Sequence, residues 1–222
     1  MTYRLNDIYA CMQGEGARAG TPMALIRLQG CGVGCRWCDT RETWAADEAH
    51  RVDAIPAALG TGPAWCRADP VDIADAARAA APSCRWAMLT GGEPAEQPLA
   101  PLVHALHGRG FLVALETSGT ALGHVGAGID WCCVSPKPGM PGGRALLAPA
   151  LAVADEVKMV VGRPADIDAL DAILAATPPR PDARVSLQPL SSQPKATLLC
   201  TSTAILRGWH LSLQLHKYLG QR

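Results

Sequence analysis

The sequence lacks an excess of either charge, because 20 Lys and Arg residues balance 20 Asp and Glu residues in a chain of 222. Nonspecific binding to nucleic acid depends on a basic surface, so we expect no nucleic-acid partner. The start also lacks a basic segment followed by an apolar run, and the longest apolar stretch, 145–154, is short and contains Pro149. We therefore expect no membrane partner and no export, and a single domain spanning 1–222 in the cytoplasm.

The sequence also lacks a compact disulfide framework. Its nine cysteines are irregularly spaced, and an odd number leaves at least one unpaired, which is typical of a reducing compartment. Six of them have no partner at the spacing of metal ligands, and we expect them to pack as small apolar side chains: Cys11, Cys66, Cys84, Cys132, Cys133 and Cys200.

What the sequence does contain is an alternation of short apolar runs with Ala-rich stretches of helical period. Strands are predicted to begin at Met23, Trp86, Phe111, Asp130, Glu156, Arg184 and Trp209, and helices to cover 69–81, 97–109, 165–176 and 195–207. This alternation is typical of an α/β fold with mainly parallel strands. Residues 45–68 and 138–150, rich in Ala, Pro and Gly, are predicted to form loops or short irregular insertions.

Unusual polar motifs follow six of the predicted strands. In order they are a cysteine cluster, TGGEP, ETSGT, SPK, QPLS and HK. Each could do no more than turn the chain, since Gly and Pro are common turn residues. In a closed or partly closed parallel barrel, however, the C-terminal ends of the strands share one face, where the following loops build an active site. The six motifs together therefore predict a site at that face.

The cysteine cluster CGVGCRWC places thiols at Cys31, Cys35 and Cys38. A structural zinc site normally has four ligands arranged as two pairs, and no His lies within this segment. Thiolates also hold iron–sulfur clusters, and a purely electron-transferring 4Fe-4S cube takes four of them. Three thiolates leave one iron without a protein ligand, which favours a reactive site.

Here the sequence resembles the radical S-adenosylmethionine (SAM) enzymes, through its CxxxCxxC spacing and its TGGEP segment. The resemblance implies a 4Fe-4S cluster whose open iron is chelated by SAM, and a 5′-deoxyadenosyl radical that abstracts hydrogen from the substrate. Gly91 and Gly92 would permit close backbone approach, and the Glu93 carboxylate can accept a hydrogen bond from the SAM ammonium.

Further motifs are similar to those of the 7-carboxy-7-deazaguanine synthase family. They occur in the same order from about residue 8 to the end, with only about 45–70 and 139–155 outside the match. They are MQGEG at 12–16, Arg27, CDT at 38–40, TGGEPAEQ at 90–97, ETSGT at 116–120, SPK at 135–137, VKMVV at 157–161, QPL at 188–190 and HKYLG at 216–220. The resemblance implies an incomplete, TIM-like barrel, a homodimer, and rearrangement of 6-carboxy-5,6,7,8-tetrahydropterin to 7-carboxy-7-deazaguanine with loss of ammonia.

The resemblance also assigns residues. The cluster would be held by Cys31, Cys35 and Cys38, and a magnesium ion by Thr40. SAM would be contacted by Trp37, Cys38, Asp39, Gly92, Glu93, Ser135, Pro136, Lys137, Gln188, Pro189, Leu190 and Ser191. The match is loose at Leu190 and Ser191. The substrate would be contacted by Met12, Gln13, Gly14, Glu15, Arg27, Thr90, Glu116, His216 and the terminal Arg222. An electron donor such as flavodoxin or ferredoxin is a further expected partner.

Elementary chemistry supports the substrate assignments. A pterin presents adjacent N–H donors that suit the carboxylates of Glu15 and Glu116, and a 6-carboxylate that suits Arg27. Other roles remain open: Arg27 could form an ion pair at a strand end, Glu116 could cap a helix, and Thr40 could be a helix N-cap. The chain's end, with Arg222, could be a solvated tail.

Two other classes of protein remain open. A different radical SAM enzyme, such as a glycyl-radical activase, shares the cysteine spacing but acts on a protein. The segments MQGEG and HKYLG, with Arg27, favour a small polar substrate instead. A metal-stabilised interaction domain would need zinc and a fourth ligand.

Overall fold

The computed structural model describes residues 1–60 and 62–220. Within this part of the chain, nine strands form one sheet: β1 (Tyr3–Met12), β2 (Pro22–Leu28), β3 (Cys66–Ala68), β4 (Trp86–Gly91), β5 (Leu112–Thr117), β6 (Trp131–Val134), β7 (Glu156–Val161), β8 (Arg184–Pro189) and β9 (His210–Leu211). The helices of the same residues are α1 (Ile55–Ala58), α2 (Pro70–Ala80), α3 (Ala100–Gly108), α4 (Ala148–Ala152), α5 (Pro164–Ala176), α6 (Pro194–Arg207) and α7 (Leu215–Leu219).

The sheet is parallel over most of its width. The strand order is β3-β1-β2-β4-β5-β6-β7-β8-β9, and every pair from β2 to β9 is parallel, whereas β1 pairs antiparallel with both β2 and β3. Because β3 and β9 end the order at opposite edges, the barrel is incomplete. The prediction of an α/β fold with an incomplete parallel barrel is confirmed.

Side chains alternate between the two faces of the sheet. The outer face packs against the helices in the main core, which includes Ile26, Leu89, Leu102 and Leu170. The opposite face carries a smaller cluster of Met23, Leu25, Met88 and Ala114 inside the barrel. Since successive residues of a strand point to opposite faces, the same inner face continues into the polar positions nearer the C-terminal ends. The inner apolar cluster therefore forms the floor beneath those polar side chains.

The four long helices lie where the sequence predicts them. Helix α2 begins at Pro70, directly after Asp69, and a Pro in the first turn is favoured because its missing N–H has no partner there anyway. Helix α3 ends just before Gly110, whose φ of +78° suits glycine. No helix in residues 1–60 and 62–220 is long and apolar enough to cross a membrane.

Several elements differ from the prediction. Strand β1 is not predicted, because its register against β2 shifts between Leu5 and Asp7 and this interrupts the alternation that marks a strand. Strand β3, only three residues long, and helix α1 lie in residues 45–68, and helix α4 begins within residues 138–150, the two regions predicted as irregular. Strand β9 ends at Leu211 rather than Leu215, since the chain leaves the sheet and α7 begins at Leu215.

The beginning and end of the chain meet across the open side of the barrel. The Leu215 N–H donates to the Gly14 carbonyl at 2.9 Å, and the Gly16 N–H donates to the Ser212 hydroxyl at 2.8 Å. The intervening turn, Gly16–Arg18, lies against the carboxylate of Glu156, which accepts from the Ala17 N–H. These contacts carry the polar segment that follows β1 to the inner side of β7 and β8.

Candidate active site

The C-terminal ends of the parallel strands open into a cavity of about 390 Å³. This volume is in the range of small-molecule sites. The cavity is lined by every predicted cluster, magnesium and substrate residue that the structure describes: Cys31, Cys35, Cys38, Thr40, Met12, Gln13, Gly14, Glu15, Arg27, Thr90, Glu116 and His216. The structure therefore brings together residues that are up to 204 positions apart, from Met12 to His216. Arg222 lies outside the described residues.

The residues predicted to contact SAM divide into two groups. Eight line the cavity: Cys38, which belongs to the cysteine triad of Cys31, Cys35 and Cys38, and Trp37, Asp39, Gly92, Glu93, Ser135, Lys137 and Gln188. The other four, Pro136, Pro189, Leu190 and Ser191, do not line it. Leu190 instead packs against Gly162, and Ser191 has a positive φ of 49° in the turn after β8. The assignment of Leu190 and Ser191 to SAM stays a prediction.

The loop after β2, residues 29–44, holds the three thiols and is called the cysteine loop. It packs directly on the glycine pair that ends β4. A side chain at Gly91 would collide with the backbone of Leu28, and one at Gly92 would collide with the carbonyl of Gly30. The Gly92 N–H also donates to the Leu28 carbonyl at 2.9 Å. The close approach that these glycines permit is therefore, for Gly91, to the end of β2 and, for Gly92, to the cysteine loop that follows it.

The three thiols suit an iron–sulfur cluster. All three are free of disulfide bonds, and the indole N–H of Trp44 donates to Cys38 Sγ at 3.3 Å. Such hydrogen bonds are among the features that tune protein-bound clusters. Burial raises the pKa of Cys31 to about 11, so binding a metal must displace its proton.

A closed site for a single metal ion is not formed by the described part of the chain, where no three His, Cys, Asp or Glu side chains are placed to hold one. Thiolates of a cubane each bind a different iron and need not converge on one point. The separation of the three thiols is therefore compatible with a cluster.

The Glu93 carboxylate is already saturated with protein donors. It is 2 % exposed, and Oε1 accepts from the Ala95 N–H at 3.0 Å and the Thr117 hydroxyl at 2.5 Å. The other oxygen accepts from both the N–H and the hydroxyl of Ser118. Four donors fill the roughly four acceptor positions of a carboxylate. In this arrangement Glu93 ties the end of β4 to the end of β5, and its bond to SAM stays a prediction.

Arg27 projects from β2 into the cavity with its charge unpaired by any carboxylate among residues 1–60 and 62–220. Its Nη2 donates to the Tyr9 hydroxyl at 3.0 Å, a neutral partner. The alternative role, an ion pair at the strand end, is not observed with any carboxylate of the described residues. Thr40 precedes the short turn Arg41–Thr43, but its side chain makes no capping hydrogen bond there, so its hydroxyl is not used as an N-cap.

A buried lysine, Lys158 of β7, lies between the two predicted acceptor carboxylates. Its Nζ is 2.8 Å from Glu15 Oε2 and 2.9 Å from Glu116 Oε2, and its side chain is 3 % exposed. Glu15 Oε1 also accepts from the side-chain amides of Gln188 and Gln214, at 3.1 and 2.9 Å. We call Glu15, Glu116 and Lys158 the charged triad. Glu116 thus pairs with a lysine within the barrel and does not cap a helix.

The triad places two carboxylates against one ammonium group in a buried setting. Burial alone would raise the pKa of Glu15, but Lys158 and the amide donors outweigh it and hold that pKa at about 2. Burial raises the pKa of Glu116 above its ordinary value, against the opposing effect of Lys158. Burial would lower the pKa of Lys158, but the two carboxylates raise it well above its ordinary value. Lys158 is therefore a permanent cation in the cavity wall.

Sequence analysis assigned no role to Lys158 or Gln214, although a signal for each was present. A Lys inside the apolar run VKMVV must be paired if the strand is buried, because Lys is almost never fully buried alone. In LSLQ at 211–214, Ser212 and Gln214 alternate with Leu211 and Leu213, which indicates a polar side facing inward. Without a known partner, neither signal showed what the side chain would contact.

Comparison with known proteins places these features in one family. No family model matches the chain. It is 41 % identical over 221 residues to the 7-carboxy-7-deazaguanine synthase of Escherichia coli K12, covering 99 % of both chains. It is 32 % identical to the enzyme of that name from a Synechocystis strain, covering 100 % of this chain and 95 % of the relative. A crystal structure of QueE from Escherichia coli superposes with a TM-score of 0.88 and 39 % identity, covering 96 % of this chain and 94 % of that one. The chain therefore belongs to the 7-carboxy-7-deazaguanine synthase family of radical SAM enzymes.

Proposed function

We propose that this protein rearranges 6-carboxy-5,6,7,8-tetrahydropterin to 7-carboxy-7-deazaguanine with loss of ammonia, a reaction that feeds deazapurine biosynthesis of the queuosine type. The observation that carries the proposal is one cavity holding both halves of the chemistry. Its lining includes the cysteine triad, the charged triad and Arg27. Full-length similarity to synthases of that name supports it.

When bound, the cluster and SAM supply the radical that abstracts a hydrogen atom from the substrate. Cys31, Cys35 and Cys38 would hold the cluster. The chain's own contribution is to bind the pterin so that its reacting carbon faces the part of the cavity lined by these cysteines. Glu116, which accepts hydrogen bonds from Lys158 and from Gln13 at 3.3 Å, retains acceptor capacity for the pterin N–H groups. Arg27 would pair with the 6-carboxylate.

Turnover is the direct test. Protein purified and reconstituted without oxygen, supplied with SAM and a reductant, should convert 6-carboxytetrahydropterin to the deazaguanine and release one ammonia per product. Formation of 5′-deoxyadenosine without consumption of this pterin would instead indicate a different radical SAM reaction.

We also propose a magnesium ion held by the Thr40 hydroxyl and the substrate carboxylate. A hydroxyl and carboxylate oxygens suit Mg²⁺, which usually keeps several waters. Thr40 lines the cavity, and its hydroxyl is 3.7 Å from Cys38 Sγ. Turnover should rise on addition of Mg²⁺, and this response should weaken in Thr40→Ala. An enzyme indifferent to Mg²⁺ would contradict the proposal.

The proposed partners are an electron donor and a second copy of the chain. A flavodoxin or ferredoxin would deliver the electron, and either one should replace a chemical reductant in the turnover assay. A homodimer is supported by apolar side chains left exposed on α6, Leu198, Ile205 and Leu206, which are 72 %, 79 % and 84 % exposed. The edge strand β9 follows this helix and could pair with its copy. Sedimentation should give a dimer for the wild type and a monomer for Ile205→Glu.

We propose that the chain forms one radical SAM domain located in the cytoplasm. All nine cysteines are unpaired, which fits a reducing compartment. Fractionation of cells that produce the protein tests the location. Limited proteolysis that released two stable fragments would contradict the single domain.

A further inference from the structure

The charged triad presents a pattern of hydrogen-bonding groups to the cavity. Lys158 has three N–H donors, and within the described residues its close partners are the two carboxylates, which occupy two of them. The side chain also lines the cavity. One N–H thus remains for a ligand, between two carboxylates that also face the cavity. The wall offers acceptor, donor and acceptor groups in close succession.

The two carboxylates differ in how many hydrogen-bond acceptor positions remain free for a ligand. Glu15 accepts from Lys158, Gln188 and Gln214, which takes three of its roughly four acceptor positions. These contacts join β7, β8 and the segment before α7, so Glu15 is chiefly a point of attachment for the protein. Glu116 accepts from Lys158 and Gln13 and lies beside the Cys133 thiol. Glu116 is therefore the carboxylate better able to receive a ligand's N–H groups.

A pterin ring presents the complementary pattern. Its 2-amino group and N3–H are donors, and the neighbouring 4-oxo oxygen is an acceptor. A carboxylate satisfies the two donors, but the oxygen requires an N–H or O–H group. A cationic donor makes the stronger hydrogen bond. Lys158 meets this requirement beside Glu116.

We propose that Lys158 is the residue that selects a 4-oxo ring, by donating its remaining N–H to the 4-oxo oxygen while it holds Glu116 for the adjacent N–H groups. This inference rests on the proposed pterin substrate. A ring with an amino group at that position would place a donor against a donor. Sites built to hydrogen-bond one group reject analogues that lack it, because their own polar groups are then left unpaired.

Binding of two stable analogues tests the proposal without turnover. The reconstituted enzyme with SAM is titrated with pterin-6-carboxylate and with 2,4-diaminopteridine-6-carboxylate, by calorimetry at a pH where both rings are neutral. We expect the wild type to prefer the oxo compound by about 100-fold or more. Lys158→Met should bind the oxo compound about 10- to 100-fold more weakly, as for a lost hydrogen bond to a charged group. It should keep only the part of the preference that comes from Glu116, because the diamino ring also lacks the N3–H that this carboxylate accepts.

The outcomes separate the inference from the proposed function. If the wild type binds neither compound, the pterin assignment fails. If it binds both equally, or if Lys158→Met weakens both by the same factor, selection by Lys158 is wrong and the lysine only positions its neighbours. Lys195→Met makes the same change on the exposed face of α6 and should leave both affinities unchanged.

Two further measurements guard against a variant that fails to fold. Iron content and circular dichroism of Lys158→Met should match the wild type. If they do not, Lys158→Gln replaces it, since the amide keeps an N–H donor without the charge. Its preference should fall about tenfold, the low end of the loss for a charged hydrogen bond, and an unchanged preference would overturn the proposal.

The pH profile supplies a readout that simple misfolding does not move. Lys158 lowers the pKa of Glu116, so its removal should raise that pKa further. Glu116 must be ionised to accept, and the acid limb of kcat/KM should therefore move to higher pH in Lys158→Met. An acid limb at the wild-type position would contradict the coupling. The other ionisable groups that act on the triad are Cys133, Glu156, Lys137 and His216.

Discussion

At the scale of single residues, the cysteine triad behaves as a unit, because each thiolate of a three-ligand cluster binds a different iron. Replacing any one of Cys31, Cys35 or Cys38 with Ala should abolish both the cluster and SAM cleavage. Iron and sulfide analysis and 5′-deoxyadenosine formation measure the two. Cys66→Ala and Cys84→Ala, which remove thiols that do not line the cavity, should leave iron content unchanged. Full iron content and SAM cleavage in Cys35→Ala would refute the assignment.

Arg27 gives a second prediction at this scale. The neutral Tyr9 hydroxyl is its hydrogen-bond partner, so a substrate carboxylate would provide its counter-charge. Arg27→Ala should lose about 2 to 4 kcal/mol of transition-state binding, as expected when one half of a buried charge pair is removed. The measurement is kcat/KM for the pterin. Arg163→Ala, a change at an exposed site, is the matched control, and equal kcat/KM in the two variants would count against the pairing.

Residue types and their order could be read from the sequence, but their contacts could not. Glu93 illustrates the limit: TGGEP predicts a carboxylate near SAM, whereas Ser118 and Thr117 occupy it in the structure. Lys158 is the converse case, since its partners come from β5 and from the segment after β1. A charged residue within a buried strand indicates that its side chain has a partner of opposite charge, but only the fold shows which residue that partner is.

At the scale of elements, the turn Gly16–Arg18 depends on one buried carboxylate. Glu156, 1 % exposed, accepts from the Ala17 N–H at 2.9 Å and from the Ser186 hydroxyl at 2.5 Å. Arg18 of the same turn stacks on Trp86 and Trp131, 4.0 and 4.5 Å from the ring centroids. The turn therefore fixes the segment that carries Glu15.

Glu156→Ala should destabilise the protein by about 2 to 4 kcal/mol, because it leaves two buried donors without an acceptor. Urea unfolding of the reconstituted protein measures the change. Asp168→Ala, which removes an exposed carboxylate from α5, should have little effect. If Glu156→Ala were as stable as Asp168→Ala, the turn would not depend on this carboxylate.

The parallel strands and long helices could be predicted because each buries one continuous apolar face. The apolar pattern does not predict the segments whose conformation is set by contacts at the active site. Strand β1 contains a register shift, and after β9 the chain leaves the sheet so that Gln214 reaches Glu15. The exposed Leu211 and Leu213 made this last segment look like a longer strand than it is.

At the scale of the whole molecule, the cavity requires both ends of the described chain. His216 lines it, and the Leu215 N–H bonds to the Gly14 carbonyl. A C-terminal extension should therefore raise the KM for the pterin and leave cluster content intact, whereas an N-terminal extension should change neither. Equal KM values for the two forms would show that the C-terminal segment is only a tail.

The hydrogen bond between Gly14 and Leu215 joins two ends of the chain, so it can form only when synthesis on the ribosome is nearly complete. The three cysteines emerge early, and Gly91 and Gly92, on which their loop packs, emerge well before the end. Glu15 is synthesised before all of these residues, but its hydrogen-bond partners Lys158, Gln188 and Gln214 are synthesised much later. A growing chain thus contains its three cluster thiols before it contains the residues that fix Glu15 in the cavity.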